Sequence, residues 1–110
     1  ALVRARRAQL TEAFETQGRD DAWAWETERR VREVLAAHPD LSTSSEVRCA
    51  ETLCRVNSQH SDPLSTDRYT LELVHAVGAF LPRATVFPSE DARHSVAFFA
   101  REGFGLGSWR

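Results

Sequence analysis

Apolar residues recur every three or four positions in three segments of the chain, which is the spacing of one helix face. In the first segment, Val3, Leu10 and Phe14 carry this pattern. Charged residues fill the opposite side of the second segment, and Glu28 belongs to this side, which we expect to face solvent. The predicted helices are residues 2–17, 21–38 and 65–81.

The expected helix ends follow from residues that cap or interrupt a helix. Asp20 or Asp21 can accept hydrogen bonds from the free N–H groups that begin the second helix. Ser65 or Thr66 is the corresponding candidate for the third helix, and Pro82 ends that helix. The sequence thus places each helix between polar turns.

Two further segments have the rhythm of strands. Residues 46–60 alternate between apolar and polar positions around a short loop at 50–53, which predicts a β-hairpin. A second hairpin is predicted at 83–101, and its last strand, 95–101, is apolar at nearly every position. Strands that are apolar on both faces are usually central in a sheet. A glycine-rich tail follows at residues 103–110.

The predicted element order is therefore ααββαββ in one domain of 110 residues. Runs of helices and strands in this order are typical of the α+β class. We expect a four-stranded, mostly antiparallel sheet with the helices packed on one face.

The two cysteines fit opposite positions of the first hairpin. Directly opposed residues that do not exchange hydrogen bonds have Cα atoms about 4.5 Å apart, which suits a disulfide. The resulting register pairs Val47 with Val56, Arg48 with Arg55, and Cys49 with Cys54. Three alternatives remain open: buried free thiols in a cytosolic protein, metal ligation together with His60 and a second histidine, and a redox-active pair.

A structural disulfide predicts an oxidising compartment, namely the periplasm, an outer-membrane surface or the exterior. The net charge of −2 argues against a nucleic-acid partner. No apolar run is long enough to span a membrane, so membrane attachment is expected only through an anchor outside this chain. The absence of methionine predicts that Ala1 is not a natural start.

No sequence motif indicates catalysis, a metal site or a cofactor. The adjacent residues His60, Ser61 and Asp62 have the residue types of a catalytic triad, but adjacency does not supply triad geometry. The opposed arginines either form a contact surface for a small anion or carboxylate or extend to pair with Glu46, Glu51 or an acidic residue of a helix. The candidate interaction surface combines the hairpin loop, these arginines and the apolar tail. Its residues are Arg48, Arg55, Glu51, Leu53, Phe104, Leu106 and Trp109.

Three strings carry a family resemblance that extends from Phe14 to Gly103. They are Phe14…Asp21-Ala-Trp23…Glu26…Glu28, Val47-Arg-Cys49-x4-Cys54-Arg55-Val56, and Val96-Ala-Phe98…Arg101-Glu-Gly103. This pattern resembles a domain that recurs in uncharacterised envelope proteins and lipoproteins of proteobacteria, particularly myxobacteria. A small disulfide-bearing sheet flanked by helices is also distantly similar to type II secretion pilotins, an analogy of architecture without a shared motif beyond the cysteine pair.

The expected function is a non-enzymatic protein-interaction domain of the bacterial cell envelope, in a lipoprotein or a secretion or motility assembly. Its expected partner is another envelope protein or a second copy of this chain. The alternatives are an extracytoplasmic sensory or small-ligand-binding domain of a membrane protein and a thiol-redox protein.

Overall fold

The computed structural model describes residues 2–38, 44–60 and 63–106, and for residues 63–66 it describes the backbone alone. The predicted element order is confirmed within these residues. The elements are α1 (Leu2–Thr16), α2 (Asp21–Ala37), β1 (Ser44–Cys49), β2 (Leu53–Gln59), α3 (Pro63–Val77), β3 (Arg83–Pro88) and β4 (His94–Ala100).

The four strands form one antiparallel sheet in the order β1-β2-β4-β3. Strand β4 pairs with both β2 and β3, so the apolar strand is central, as its composition predicted. The second hairpin joins the first through β4, which leaves β1 and β3 at the edges of the sheet.

Helices cover both faces of the sheet, which corrects the expectation of helices on one face. Neighbouring residues of a strand point to opposite faces. In β4, Phe99 packs in the core cluster that α2 and α3 supply, whereas Phe98 packs with Leu10 and Phe14 of α1. The apolar run of β4 therefore has a helical partner on each side. Loop residues linking α1 and α2 cross from one face to the other beside the end of the first hairpin.

The third helix is shifted toward the N-terminus relative to its predicted bounds. It begins at Pro63, and proline suits the first turn of a helix because that turn needs no N–H donor. Ser65 and Thr66 lie inside the helix and are not its caps. The helix ends at Val77, before Gly78, where a Cβ atom would lie 2.5 Å from the carbonyl oxygen of Val74.

Candidate functional site

The disulfide hairpin forms with the predicted register. Cys49 and Cys54 are bonded and opposite each other, with their Cα atoms 4.0 Å apart. The opposed pairs next to them, Arg48 with Arg55 and then Val47 with Val56, are also confirmed. Both cysteines are buried in the core between the sheet and helices α2 and α3. The bond is therefore a structural element of the core, consistent with an oxidising compartment.

An ion pair between the buried Glu28 and the partly exposed Arg19 holds the backbone of Cys49 at the edge of the sheet. The Glu28 carboxylate accepts a hydrogen bond of 2.8 Å from the Cys49 N–H group and two more from the Arg19 guanidinium. Arg19 also donates to the Cys49 carbonyl oxygen, at 3.0 Å. Arg19 and Glu28 thus bond the N–H and carbonyl groups of Cys49 that point away from β2. In the middle of a sheet, a neighbouring strand would bond these two groups.

The pKa values of this pair reflect the contacts. Burial would raise the pKa of Glu28, but the hydrogen bonds from Arg19 and from the Cys49 N–H group, with the Coulomb attraction of Arg19 and Arg32, outweigh burial and lower it. The hydrogen bond to Glu28 raises the pKa of Arg19. Both groups are charged at neutral pH, so the pair is a true ion pair.

The hairpin loop is held by the segment that links α1 and α2. The side-chain oxygen of Gln17 accepts hydrogen bonds from the N–H groups of three consecutive loop residues, Glu51, Thr52 and Leu53, at 2.8, 2.7 and 3.2 Å. The N–H group of Asp20 donates to the carbonyl oxygen of Ala50. The loop backbone is thus engaged by its own chain.

Arg101, which follows β4, fixes the loop from a third direction. Its backbone N–H group donates to the Thr52 carbonyl oxygen, and its guanidinium donates to the Glu51 carbonyl oxygen and to the Asp20 carboxylate. The guanidinium also lies 4.7 Å from the ring centre of Trp23. The loop therefore joins parts of the chain that are about fifty residues apart.

Two of the predicted interaction residues belong to this loop, and their placements differ. Leu53 is 3% exposed and packs in the core beneath α1, so it is not available to a partner in this conformation. Glu51 is exposed, and its side chain lies over Gly18, where a Cβ atom would meet the carboxylate at 2.6 Å. The loop presents the side chain of Glu51 but few free backbone groups.

The opposed arginines, Arg48 and Arg55, line an open cleft of about 770 Å³ between the C-terminal end of α1 and the hairpin, which we call the arginine cleft. Arg48 is exposed, whereas the Arg55 side chain is 20% exposed and its guanidinium lies 4.6 Å from the ring centre of Phe14. Glu15 carries the acid nearest to Arg55, with Oε1 3.8 Å from Nη1. The remaining lining residues are Gln17, Gly18, Arg19, Cys49 and Ala50.

The predicted apolar tail does not form one surface in the described residues. Phe104 is 49% exposed, and its N–H group donates to the Arg101 carbonyl oxygen. Leu106 packs against the core cluster under α1. Trp109 lies outside the described residues. Neither Phe104 nor Leu106 lines the arginine cleft.

A polar cluster that the sequence did not indicate lies in the core between the sheet and α3. His60 Nε2 and Ser95 Oγ are 2.9 Å apart, the His60 ring packs edge-on against Tyr69, and the Tyr69 and Ser58 hydroxyls are hydrogen bonded. Burial raises the pKa of Tyr69 to about 12, despite its hydrogen bonds to Ser58 and Ser95. All four residues are buried, so this cluster satisfies polar groups within the core.

The candidate triad types at His60, Ser61 and Asp62 stay a prediction, because Ser61 and Asp62 lie outside the described residues. Within the described residues, the Ser95 hydroxyl lies 2.9 Å from Nε2 of His60. Within the described ranges, no group of three or more histidine, cysteine or acidic residues could hold a metal ion.

Sequence reasoning placed Glu28 on the solvated face of α2, and this assignment is wrong. The buried residues of α2 are Ala24, Thr27, Glu28 and Val31, which lie one helical turn apart on one stripe. A charge in the middle of such a stripe was a usable signal for a buried ion pair. Gln17 offered no such signal, because its loop partners are more than thirty residues away along the chain, and Arg19 lies in the linker before α2, outside the helical pattern that contains Glu28.

No family model, curated protein or solved structure matches this chain. The resemblance to proteobacterial envelope domains therefore stays a prediction. Among the described helices, none is both long and apolar enough to cross a membrane.

Proposed function

We propose that this chain is a non-enzymatic protein-interaction domain of the Gram-negative cell envelope, acting in the periplasm or at the outer-membrane surface. Its working surface is the arginine cleft beside the disulfide hairpin, and its partner is another envelope protein. Membership of a lipoprotein or of a secretion or motility assembly is part of the same proposal.

One observation carries the proposal. The hairpin is held on the cleft's inner side by the disulfide, by the Arg19–Glu28 ion pair and by the Gln17 contacts, while Arg48 faces outward without an ion-pair partner among the described residues. A rigid scaffold that presents a charged side chain loses little conformational entropy when it binds. Such an arrangement suits recognition of a partner.

A small-ligand-binding domain of a membrane protein is the second candidate, and the volume of the cleft favours it. About 770 Å³ lies within the usual range for small-molecule sites, roughly 300–1,000 Å³. Most such sites are enclosed and apolar, however, whereas this cleft is open and carries three arginines. A redox role is disfavoured because both bonded cysteines are buried, out of reach of an attacking thiolate.

Site-specific photo-crosslinking in the native host tests the proposal. The crosslinking amino acid is placed at Glu46, which is exposed on β1 and shares a strand face with Arg48. The control position is Leu71, which is 72% exposed on α3. We expect one discrete adduct with an envelope protein from position 46 and none from position 71. Equal adducts from both positions, or none from either, would contradict a partner at the cleft.

A further inference from the structure

We infer that the cleft binds a carboxylate of an acidic, extended segment of the partner, with Arg48 and Arg55 as the contacting side chains. This inference rests on the proposed interaction function and names the chemistry of the partner. An arginine guanidinium presents a planar fork of donors that matches a carboxylate.

The opposed pair Arg48 and Arg55 carries unbalanced positive charge. Arg48 and Arg55 are partners in the register and extend on the same face of the hairpin. Like charges directly opposite each other destabilise a sheet. Among the described residues, Arg48 forms no ion pair, and Glu46 and Glu51 form none with either arginine. The pair therefore remains short of negative charge, which a ligand carboxylate can supply.

The Arg55 guanidinium is already positioned to bind a ligand carboxylate. Its guanidinium rests on the Phe14 ring, and its Nε–H group is buried without a hydrogen-bond partner in the described residues. The contact with Glu15 measures 3.8 Å, longer than a hydrogen bond. The two terminal nitrogens of Arg55 are thus held in place, and they can donate further hydrogen bonds. Of the two arginines, only Arg48 would lose side-chain freedom when a ligand carboxylate binds.

The position of Glu15 favours a carboxylate over a phosphate as the ligand. Glu15 shows that a carboxylate fits beside Arg55, and its own side chain is 63% exposed at the rim of the cleft. This fixed negative charge opposes a phosphate dianion more strongly than a single carboxylate. An acidic peptide is therefore the favoured ligand.

The probe is a labelled ten-residue peptide of alternating glutamate and alanine, and its match replaces glutamate with glutamine. Binding to the whole chain is followed by fluorescence anisotropy at low salt, and the contact residues are located by NMR shift changes. We expect the glutamate peptide to bind more tightly than the glutamine peptide, with shift changes at the cleft. Added salt should weaken binding, because exposed charges are screened.

Three variants sharpen the test. Arg48→Glu should weaken glutamate-peptide binding about tenfold or more, which corresponds to about 1.4 kcal/mol. Arg83→Glu makes the same change at an exposed position on β3 and should leave binding unchanged. Glu15→Gln should tighten binding, because it removes the internal carboxylate beside Arg55. Should Arg48→Glu lose the circular dichroism of the folded chain, Arg48→Gln replaces it.

The outcomes separate this inference from the proposed function. Equal binding of the two peptides, or equal weakening by Arg48→Glu and Arg83→Glu, would overturn the carboxylate site. Inorganic phosphate that displaces the peptide at concentrations where acetate does not would reassign the site to phosphate and overturn it too. If the crosslink from position 46 survives in the Arg48→Glu chain, the interaction function stands and the carboxylate site fails.

Discussion

The carboxylate of Glu28 is held inside the protein by donors from the linker before α2 and from strand β1. One donor is the Cys49 N–H group and the other is the Arg19 guanidinium, and the carboxylate side chain is 7% exposed. A buried acceptor that loses a donor keeps its desolvation cost. The effect of each substitution at this site therefore depends on which polar groups it leaves without a partner.

The pH dependence of stability follows from the lowered pKa values of Glu28 and Asp20. The Asp20 carboxyl has a lowered pKa because Arg101 and the Trp23 N–H group donate to it. A carboxylate whose pKa is lower in the folded chain stabilises the fold above its unfolded pKa, and this stabilisation is lost as the pH falls through its folded pKa. We expect the free energy of unfolding to decrease below about pH 4.5, as urea denaturation over a pH series would show.

Glu28→Gln tests the ion pair itself. At neutral pH the change should lower the free energy of unfolding by about 1–3 kcal/mol, because charge-assisted hydrogen bonds are lost in a buried position. The deficit should shrink in acid, where the wild-type carboxylate is itself protonated. The matched control is Glu33→Gln on the exposed face of α2, where Glu33 pairs with Arg29. An equal effect of both substitutions would show that burial of Glu28 contributes nothing.

Among the elements, the hairpin loop has more connections than its length suggests. Gln17 after α1, Asp20 before α2 and Arg101 after β4 all bond to the backbone of residues 50–53. A loop held in this way gains order from the tertiary contacts in addition to the disulfide. The disulfide and the contacts can be tested separately.

Gln17→Ala should release the loop without breaking the hairpin. It leaves three N–H groups without their acceptor, so amide hydrogen exchange of residues 51–53 should become faster while the amides of β4 keep their protection. Gln17→Glu retains the acceptor oxygen and is the matched control. Unchanged exchange at residues 51–53 in Gln17→Ala would contradict the role assigned to Gln17.

Replacing both cysteines with alanine should have a modest effect. A loop closed across a sequence separation of 5 residues predicts a loss of about 2 kcal/mol in the free energy of unfolding. The sheet should still form, because the register of β2 is also set by its pairing with β4. Chemical denaturation gives the loss and circular dichroism reports the fold. Complete unfolding of the double variant would contradict the modest contribution that the short loop predicts.

For the whole molecule, the two-sided layering is the feature with the widest consequences. The α1 face of β4 contributes Phe98 and the α2–α3 face contributes Phe99, and both rings are fully buried. With one helix on one side and two on the other, the polar residues of β1 and β2 beside α1 remain open, and there the arginine cleft forms. The position of the cleft is thus a consequence of how the helices are divided between the faces.

Phe98→Ala and Phe99→Ala test this layering. In a sheet covered on one side, one of the two substitutions would be nearly silent. Here each should lower the free energy of unfolding by about 3–5 kcal/mol, because each removes a buried ring. Urea denaturation measures both, and a stable chain carrying either change would contradict helices on both faces. Phe98→Leu and Phe99→Leu serve if the alanine variants do not fold.

Local patterns in the sequence were sufficient for the elements, the hairpin register and the central strand. Helical spacing, period-two alternation and the constraint of opposed cysteines each act over a few residues, so they can be seen without a partner segment. The pairing of Arg48 with Arg55 followed from Cys49 and Cys54 for the same reason, since alternation propagates a register along both strands.

Tertiary structure decided everything that depends on which segments meet. The burial of Glu28, the contacts of Gln17 and Arg101 with the loop, and the division of the helices between two faces all join residues far apart in the chain. The apolar composition of β4 predicted a central strand, but it did not show that helices cover both faces or which helix covers each face. The sequence by itself therefore determined a disulfide hairpin with opposed arginines. The packing of α1 against one sheet face formed the cleft beside these arginines.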